Sequence, residues 1–214
     1  MATLHAEQWS VSPQQREGFV ALVRESKVFW ETLGAEFRVR TSLIAGEGTG
    51  LTSVYHFFPD AAARATALDG AAAEAANDPL VRAIARGALP AALVGRLFLD
   101  SIPSEAPIPA EYPVAALTAY EVSPARSAEA QAAFEAADTR ERAFGVEPAL
   151  WVTQYAGAGS GRRLRVLGHA SHAAMADFDR RNLDGAAPHP LLVAVADGTL
   201  RPVTASITVP WSAS

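Results

Sequence analysis

Two histidines of this 214-residue chain stand where they could transfer a proton. His56 and His169 lie in similar apolar stretches 113 residues apart, and aligning those stretches matches the two residues. A neutral imidazole works well as a general base or as an axial ligand. The structural alternative is a hydrogen-bonded core or edge histidine. His169 and His172 have i, i+3 spacing, but no carboxylate stands near them at ligand spacing, so we expect no metal site.

Charged residues of the first half could tune such a histidine and hold an anionic substrate. Glu7 stands two positions after His5, and burial would raise the pKa of its carboxyl group, whereas nearby arginines would lower it. A structural ion pair is the other role open to Glu7. Arg38, Arg40 and Arg96 could bind a carboxylate, enolate or phenolate through forked hydrogen bonds.

The composition excludes several classes of function. The chain has no cysteine, which excludes disulfides, thiolate catalysis and cysteine-ligated metal sites. Its formal charge is −5 and its 18 basic residues are scattered, so we expect no nucleic-acid partner. No apolar stretch is long enough for a membrane helix, and the N-terminus does not resemble a signal peptide, so we expect a cytoplasmic protein without a membrane partner. Sequence markers of acyl and phosphoryl transfer are also missing.

The elements that must position these residues are encoded twice along the chain. Val11, Pro79 and Gly87 recur 111 residues later as Val122, Pro190 and Gly198, each within a matching context. Glycine-rich segments at 46–50 and 157–161 have the same spacing. The pattern predicts a duplication, and three prolines between the copies predict an extended linker. The expected units are repeat 1 (1–103), linker (104–111) and repeat 2 (112–214).

Each copy has the pattern of a strand, a helix, two strands, a helical region and a last strand. In the first copy alternation and turn residues predict strands over Thr3–Trp9, Phe37–Ala45, Thr52–Phe58 and Leu93–Asp100. A helix is expected from Ser12 to Gly34, and a helical region from Pro59 to about Gly87. The order β-α-β-β-α-β is that of a ferredoxin-like unit.

On this element order, the duplication, the Val-Ser-Pro positions and the glycine-rich hairpins, the chain resembles the dimeric α/β-barrel superfamily. The resemblance is to tandem members of its NIPSNAP-like and antibiotic-monooxygenase-like branches. It implies an α+β fold in which two tandem ferredoxin-like βαββαβ repeats pack sheet to sheet as a single-chain α/β barrel. It also implies an internal pocket, but no particular chemistry, because those branches include oxygenases, haem enzymes, cyclases and proteins without a known reaction.

Strand alternation assigns side chains to the two faces of the barrel wall. We assign the small apolar set of each strand to the helix side, and the polar and aromatic set then faces the interior. The interior set of the first copy is His5, Glu7, Trp9, Arg38, Arg40, His56 and Arg96. The interior set of the second copy is Thr118, Tyr120, Trp151, Thr153, Tyr155 and His169. A one-residue error in phase would instead turn all side chains of a strand to the other face.

Three hypotheses about function follow. The first is a cofactor-free oxygenase, cyclase or isomerase that acts on a partly aromatic or polyketide-like molecule. Its catalytic candidates are His56, Glu7 and His169, and its ligand-binding candidates are His5, Trp9, Arg38, Arg40, Arg96, Tyr120, Trp151 and Tyr155. The second is a non-catalytic binding or interaction module. The third is a haem enzyme in which one of the histidines is a ligand. The expected partners are a small-molecule ligand and, in a homodimer, a second copy of the chain.

Overall fold

The computed structural model describes residues 1–44, 50–88, 91–102, 108–154, 161–185 and 187–210. Tyr155, Trp211, most of both glycine-rich segments and linker residues 103–107 lie outside the described residues. The strands are β1 (Thr3–Val11), β2 (Glu36–Ile44), β3 (Thr52–Phe58), β4 (Ala91–Ile102), β5 (Val114–Val122), β6 (Glu147–Thr153), β7 (Arg163–His169) and β8 (Leu200–Pro210). The helices are α1 (Arg16–Thr32), α2 (Ala61–Ala73), α3 (Pro79–Ala85), α4 (Ser127–Ala143), α5 (His172–Asp184) and α6 (Pro190–Ala196).

The second helical region of the first half is two helices, where the sequence predicted one. Asp60 begins α2 by accepting a 2.8 Å hydrogen bond from the backbone N–H of Ala63. Asp78 begins α3 in the same way, accepting from the N–H of Leu80 at 2.8 Å. Pro79 has no N–H and cannot continue a helix from the preceding turn, but it fits the first turn of a new one. The chain therefore turns between α2 and α3.

The eight strands form a closed barrel of antiparallel neighbours in the order β1-β3-β2-β8-β5-β7-β6-β4. This confirms the predicted α+β class. The first four strands meet the last four through two edge pairings, β2 with β8 and β4 with β6. None of the helices that the structure describes is long and apolar enough to cross a bilayer.

The registers of the two halves show that the histidine alignment was wrong. His5 pairs with His56, and Ala116, 111 positions after His5, pairs with Leu167. His56 therefore corresponds to Leu167, and the offset of 111 continues through the third strand of each half. The offset of 113 that matched the two histidines would need two extra residues before the third strand of the second half, and the registers exclude them. We propose that the shared element order and register derive from a duplicated βαββαβ unit.

Large apolar side chains lie outside the barrel, beneath the helices. Phe19 and Val23 of α1 pack against Trp9, Phe37 and Val54 on the outer face of the first-half strands. A similar outer cluster in the second half contains Phe134 of α4, Leu150 and Leu200. The interior holds a separate cluster, with Leu4, Ala6, Tyr55, Phe57, Leu99 and Trp151.

These clusters show that the predicted facing was wrong for β1, β3, β4, β5 and β7. The residues placed inside and found on the helix side are His5, Glu7, Trp9, His56, Arg96, Thr118, Tyr120 and His169. An eight-stranded barrel has room inside only for a limited volume of side chains, so small residues such as Ala6 and Ala115 fit the interior. The prediction assigned small residues to the helix side, which is the opposite of their observed position. The facing of β2 and β6 was correct, and Arg38, Arg40 and Trp151 lie inside.

Candidate functional site

A cavity of about 60 Å³ lies inside the barrel. Its wall combines apolar side chains of β5, β6 and β7 with polar groups of β2 and β3. The side chains that bear on chemistry are Arg38, Arg40, Tyr55, Phe57, Tyr112, Glu147 and Trp151. An apolar cavity with a few converging polar groups is the usual form of a small-molecule site.

Arg38 lies on the β2 wall, opposite Tyr55 of β3. Its guanidinium donates hydrogen bonds to the carboxylate of Glu36 and to the carbonyl oxygen of Pro109. The same group lies 4.6 Å from the centre of the Phe57 ring. The arginine therefore carries a positive charge next to an aromatic face in the cavity wall.

Arg40 is 7% exposed and binds three neutral oxygens. Its Nε donates to the hydroxyl of Thr208 on β8, its Nη2 to the Thr208 carbonyl, and its Nη1 to the carbonyl of Tyr112, each at 2.9 Å. Burial lowers the pKa of Arg40, although a guanidinium stays charged at any ordinary pH. Arg40 therefore joins β2, β8 and the segment before β5.

Aromatic rings from the two halves meet inside the barrel. The Phe57 and Trp151 ring centres are 5.8 Å apart, and those of Tyr55 and Phe57 are 6.2 Å apart. Burial raises the pKa of the Tyr55 phenol, which therefore stays neutral and able to donate a hydrogen bond. Trp151 was predicted to bind ligand, and it lies in this cavity.

The segment 108–112, which we call the plug, closes one side of the cavity. It holds the two carbonyls that Arg38 and Arg40 bind. The Tyr112 ring lies against the backbone of Gly168, where an added Cβ would stand 2.1 Å from a ring carbon. A second cavity of about 180 Å³ adjoins the plug and shares Tyr112, Glu147 and other lining residues with the first. The plug therefore lines both cavities.

His5, His56 and Glu7 form a different cluster, on the outer face beneath α1. The ring centres of His5 and His56 are 5.2 Å apart, and the His56 ring lies 4.2 Å from that of Trp30. Burial lowers the pKa of His5 to about 4 and the pKa of His56 well below its ordinary value. Glu7 accepts a 2.9 Å hydrogen bond from Arg96, and burial raises the pKa of its carboxyl group. Its contacts match the structural ion pair that the sequence left open.

Among the described candidates of the second half, Thr118, Tyr120 and His169 face the helices, whereas Trp151 and Thr153 face the interior. The His169 ring packs 5.4 Å from Phe178 of α5, and burial lowers its pKa. The Tyr120 ring packs 5.8 Å from Phe134 of α4. In the described part of the chain no group of three histidine or acidic side chains could hold a metal ion.

Sequence reasoning missed Tyr55, Tyr112 and Glu147, which line the interior cavity. Tyr55 directly precedes His56 and therefore points to the opposite face of β3, so the correct facing of this strand would have placed Tyr55 inside. Glu147 stands one residue before Pro148, at the beginning of β6. Tyr112 follows the proline-rich linker, and no periodic pattern there indicates that its ring packs on a strand.

Comparison with known proteins gives matches in structure only. No protein-family profile matches the sequence, and no curated protein sequence matches it. A variant of the chlorite dismutase from Candidatus Nitrospira defluvii has a TM-score of 0.59 and 11% identity, covering 99% of this chain and 92% of that one. A candidate monooxygenase from Lactobacillus acidophilus NCFM has a TM-score of 0.61 and 12% identity, covering 98% and 93%. An anthrone oxidase-like protein has a TM-score of 0.60 and 10% identity, covering 98% and 92%.

These neighbours correct one expectation and leave another as a prediction. The expected absence of a cofactor is wrong on this comparison, because chlorite dismutases are haem-dependent enzymes. The NIPSNAP-like part of the resemblance stays a prediction, since the neighbours named here are of other kinds. The chain shares its fold with these chlorite dismutase-like and monooxygenase-like proteins.

Proposed function

We propose that this protein is an oxygenase-type enzyme that oxidises a small planar aromatic molecule bound inside the barrel. The observation that carries the proposal is the interior cavity, where Arg38, Arg40 and Tyr55 stand among the aromatic rings of Phe57 and Trp151. Neighbours described as a monooxygenase candidate and as anthrone oxidase-like support the same class of reaction.

The reaction class is the oxidation of an activated methylene group to a ketone by O₂. The carbon loses two hydrogens and gains one oxygen atom of O₂, while the second oxygen atom leaves with both hydrogens as water. Removal of the first proton creates an enolate, which a cation and a neutral hydrogen-bond donor stabilise. Arg38 supplies the cation, and the Tyr55 phenol supplies the donor. Arg40, on the same face of β2 as Arg38, joins that strand to β8 and to the plug.

The general base that we propose is the carboxylate of Glu147, at the exposed beginning of β6. Glu147 lines both cavities and, among the described residues of the interior cavity, is the sole carboxylate. Its position on the far side of the cavity from β2 separates the base from the arginines. Glu147 would accept the methylene proton and return it when water forms.

The chlorite dismutase neighbours suggest a haem, which would need a ligand from a residue lining one of the cavities. No histidine is among the described residues that line either cavity. The His56 and His169 rings pack against Trp30 and Phe178 on the outer face instead. These residues do not fit a haem, and we assign no step to one.

Hemin titration checks this conclusion on the purified protein. We expect neither His56→Phe nor His169→Phe to change the Soret spectrum obtained at one equivalent of hemin, because both rings lie outside the two cavities. A saturable shift that His56→Phe or His169→Phe abolishes would contradict the conclusion and establish a haem site.

Oxygen uptake tests the proposed function. The assay supplies anthrone as substrate and follows O₂ with an electrode and anthraquinone by absorbance. We expect one O₂ consumed for each ketone formed, and loss of activity in Glu147→Gln. The control is Glu129→Gln, an exposed carboxylate of α4. Tight binding of anthrone without O₂ uptake would overturn the enzyme proposal in favour of a binding module.

A further inference from the structure

We propose that the plug occupies the place of the ligand, and that the ligand is a planar aromatic oxyanion that displaces it. The anion would take the places of the Pro109 and Tyr112 carbonyls on Arg38 and Arg40. Its ring would take the place of the Tyr112 ring on Gly168. This inference rests on the proposed function, to which it adds the charge and shape of the ligand.

The charge of Arg40 is the first argument. The side chain is buried, and its three hydrogen-bond acceptors are a hydroxyl and two carbonyls, all neutral. In the described part of the chain no carboxylate lies within ion-pair distance of it, and Glu111 acts on it only from farther away. A buried cation without a paired anion is costly. An incoming oxyanion would supply the missing charge.

The two carbonyls of the plug are the second argument. Pro109 and Tyr112 present their oxygens to two guanidiniums of the same strand, Arg38 and Arg40. A carboxylate also presents two oxygens and forms hydrogen bonds roughly twice as strong as those of a neutral acceptor. The plug carbonyls are thus weaker acceptors for these donors than a carboxylate is, so a carboxylate should displace them.

The floor beneath Tyr112 is the third argument. Gly168 has no side chain, and the Tyr112 ring lies so close to it that a Cβ would overlap three ring carbons, at 2.1 to 2.4 Å. Its β-sheet neighbours are Ala115 on one side and Glu147 on the other. A flat ring of a ligand would fit on this backbone surface in the same way.

The second cavity is the fourth argument. The plug lines both cavities, so that its displacement would enlarge the space open to a ligand. The hydroxyl of Ser101 is buried at its lining and, among the described residues, has no hydrogen-bond partner. A displaced segment or a ligand would meet that hydroxyl.

Calorimetry with 2-naphthoate as the probe and the neutral 2-naphthalenemethanol as its control tests the proposal. We expect wild-type protein to bind naphthoate at least ten-fold more tightly than the alcohol. Tyr112→Ala should tighten naphthoate binding by about ten-fold, because it removes the competing ring. Equal affinity for both probes, or weaker naphthoate binding by Tyr112→Ala, would overturn the proposal.

Gly168, which lies beneath the Tyr112 ring, gives a second variant. In the Tyr112→Ala background, where the overlap with the native ring is gone, Gly168→Ala should fold and bind naphthoate at least ten-fold less tightly. Gly18→Ala in α1, where an added Cβ meets nothing, is the matched control. Unchanged affinity in Tyr112→Ala/Gly168→Ala would place the ligand elsewhere and overturn the proposal.

Hydrogen exchange reports displacement directly. Amides of residues 110–112 should exchange faster when wild-type protein is saturated with naphthoate, and slower exchange would contradict displacement. These measurements need no turnover. If naphthoate displaces the plug but the protein consumes no O₂ with anthrone, the proposed reaction is wrong and the proposed ligand site stands. If the protein consumes O₂ and naphthoate does not inhibit it, the proposed displacement of the plug is wrong and the reaction stands.

Discussion

The Nη1 atom of Arg40 donates a 2.9 Å hydrogen bond to the carbonyl oxygen of Tyr112, 72 residues further along the chain. The same guanidinium binds both oxygens of Thr208 on β8. One buried side chain therefore connects β2, the plug and β8. Its role in holding the barrel closed can be separated from any role in ligand binding.

Arg40→Met should lower the free energy of unfolding, because three buried oxygens lose their donor. We expect a loss of the order of 3 kcal/mol in urea unfolding, or roughly 10 °C in Tm. Arg201→Met, whose side chain is 75% exposed, is the control and should change stability by less than about 1 kcal/mol. A stability of Arg40→Met equal to that of the control would show that Arg40 does not hold the barrel together.

Acid should destabilise the protein through the buried histidines. Burial lowers the pKa of His5 to about 4, whereas the unfolded chain binds a proton near pH 6.5, so stability falls as the pH falls through this window. His5 alone should cost about 2 kcal/mol between pH 7 and pH 5. Glu7 works in the opposite sense, because its raised pKa favours the folded state while the carboxyl is protonated.

Urea unfolding of His5→Phe at pH 7 and pH 5 measures this contribution. The variant should lose less stability on acidification than the wild type. An identical pH dependence of the two proteins would mean that His5 does not titrate as its burial implies.

Gly168→Ala and Tyr112→Ala should not be additive. The added methyl group overlaps the Tyr112 ring, so Gly168→Ala alone should cost about 1–3 kcal/mol. In the Tyr112→Ala background the same substitution should cost much less, because the overlapping ring is absent. Urea unfolding of the four proteins gives the coupling energy, and a value near zero would place Tyr112 away from Gly168.

The outer face of the second half holds a buried ion-pair network. Arg165 binds Glu141 and Asp138, and Glu141 also contacts His189 at 3.1 Å. Arg165→Met should cost about 3–5 kcal/mol, because Glu141 is then a buried anion without its main partner. Glu141→Gln in the same background should recover part of that loss, and no recovery would contradict the assigned pairing.

The sequence predicted elements better than it predicted the faces of strands. β3 was predicted at its observed bounds, Thr52–Phe58, because Pro59 and Asp60 mark its end clearly. The predicted facing of β3 was wrong because all of its residues are buried. Neither the side of Tyr55 nor the side of His56 is marked by polar, exposed residues. Periodicity identifies a face only where one side meets water.

The plug could not be predicted, for a different reason. Tyr112 and Pro109 belong to a segment without regular structure, and only the folded barrel brings them to Arg38 and Arg40. The alternation of β2 did place both arginines inside, next to Val39 on the helix side. Long-range contacts of irregular segments leave no periodic signal in a single sequence.

Oxygen uptake by two variants tests most directly whether the chemistry lies inside the barrel or at the outer histidine cluster. The measurement compares kcat for anthrone oxidation by Arg38→Met and by His56→Phe, each with its folding checked by circular dichroism. We predict that Arg38→Met lowers kcat about 100-fold or more, as loss of an oxyanion donor does, while His56→Phe stays within a few-fold of the wild type. A large loss in His56→Phe with little change in Arg38→Met would contradict the interior site.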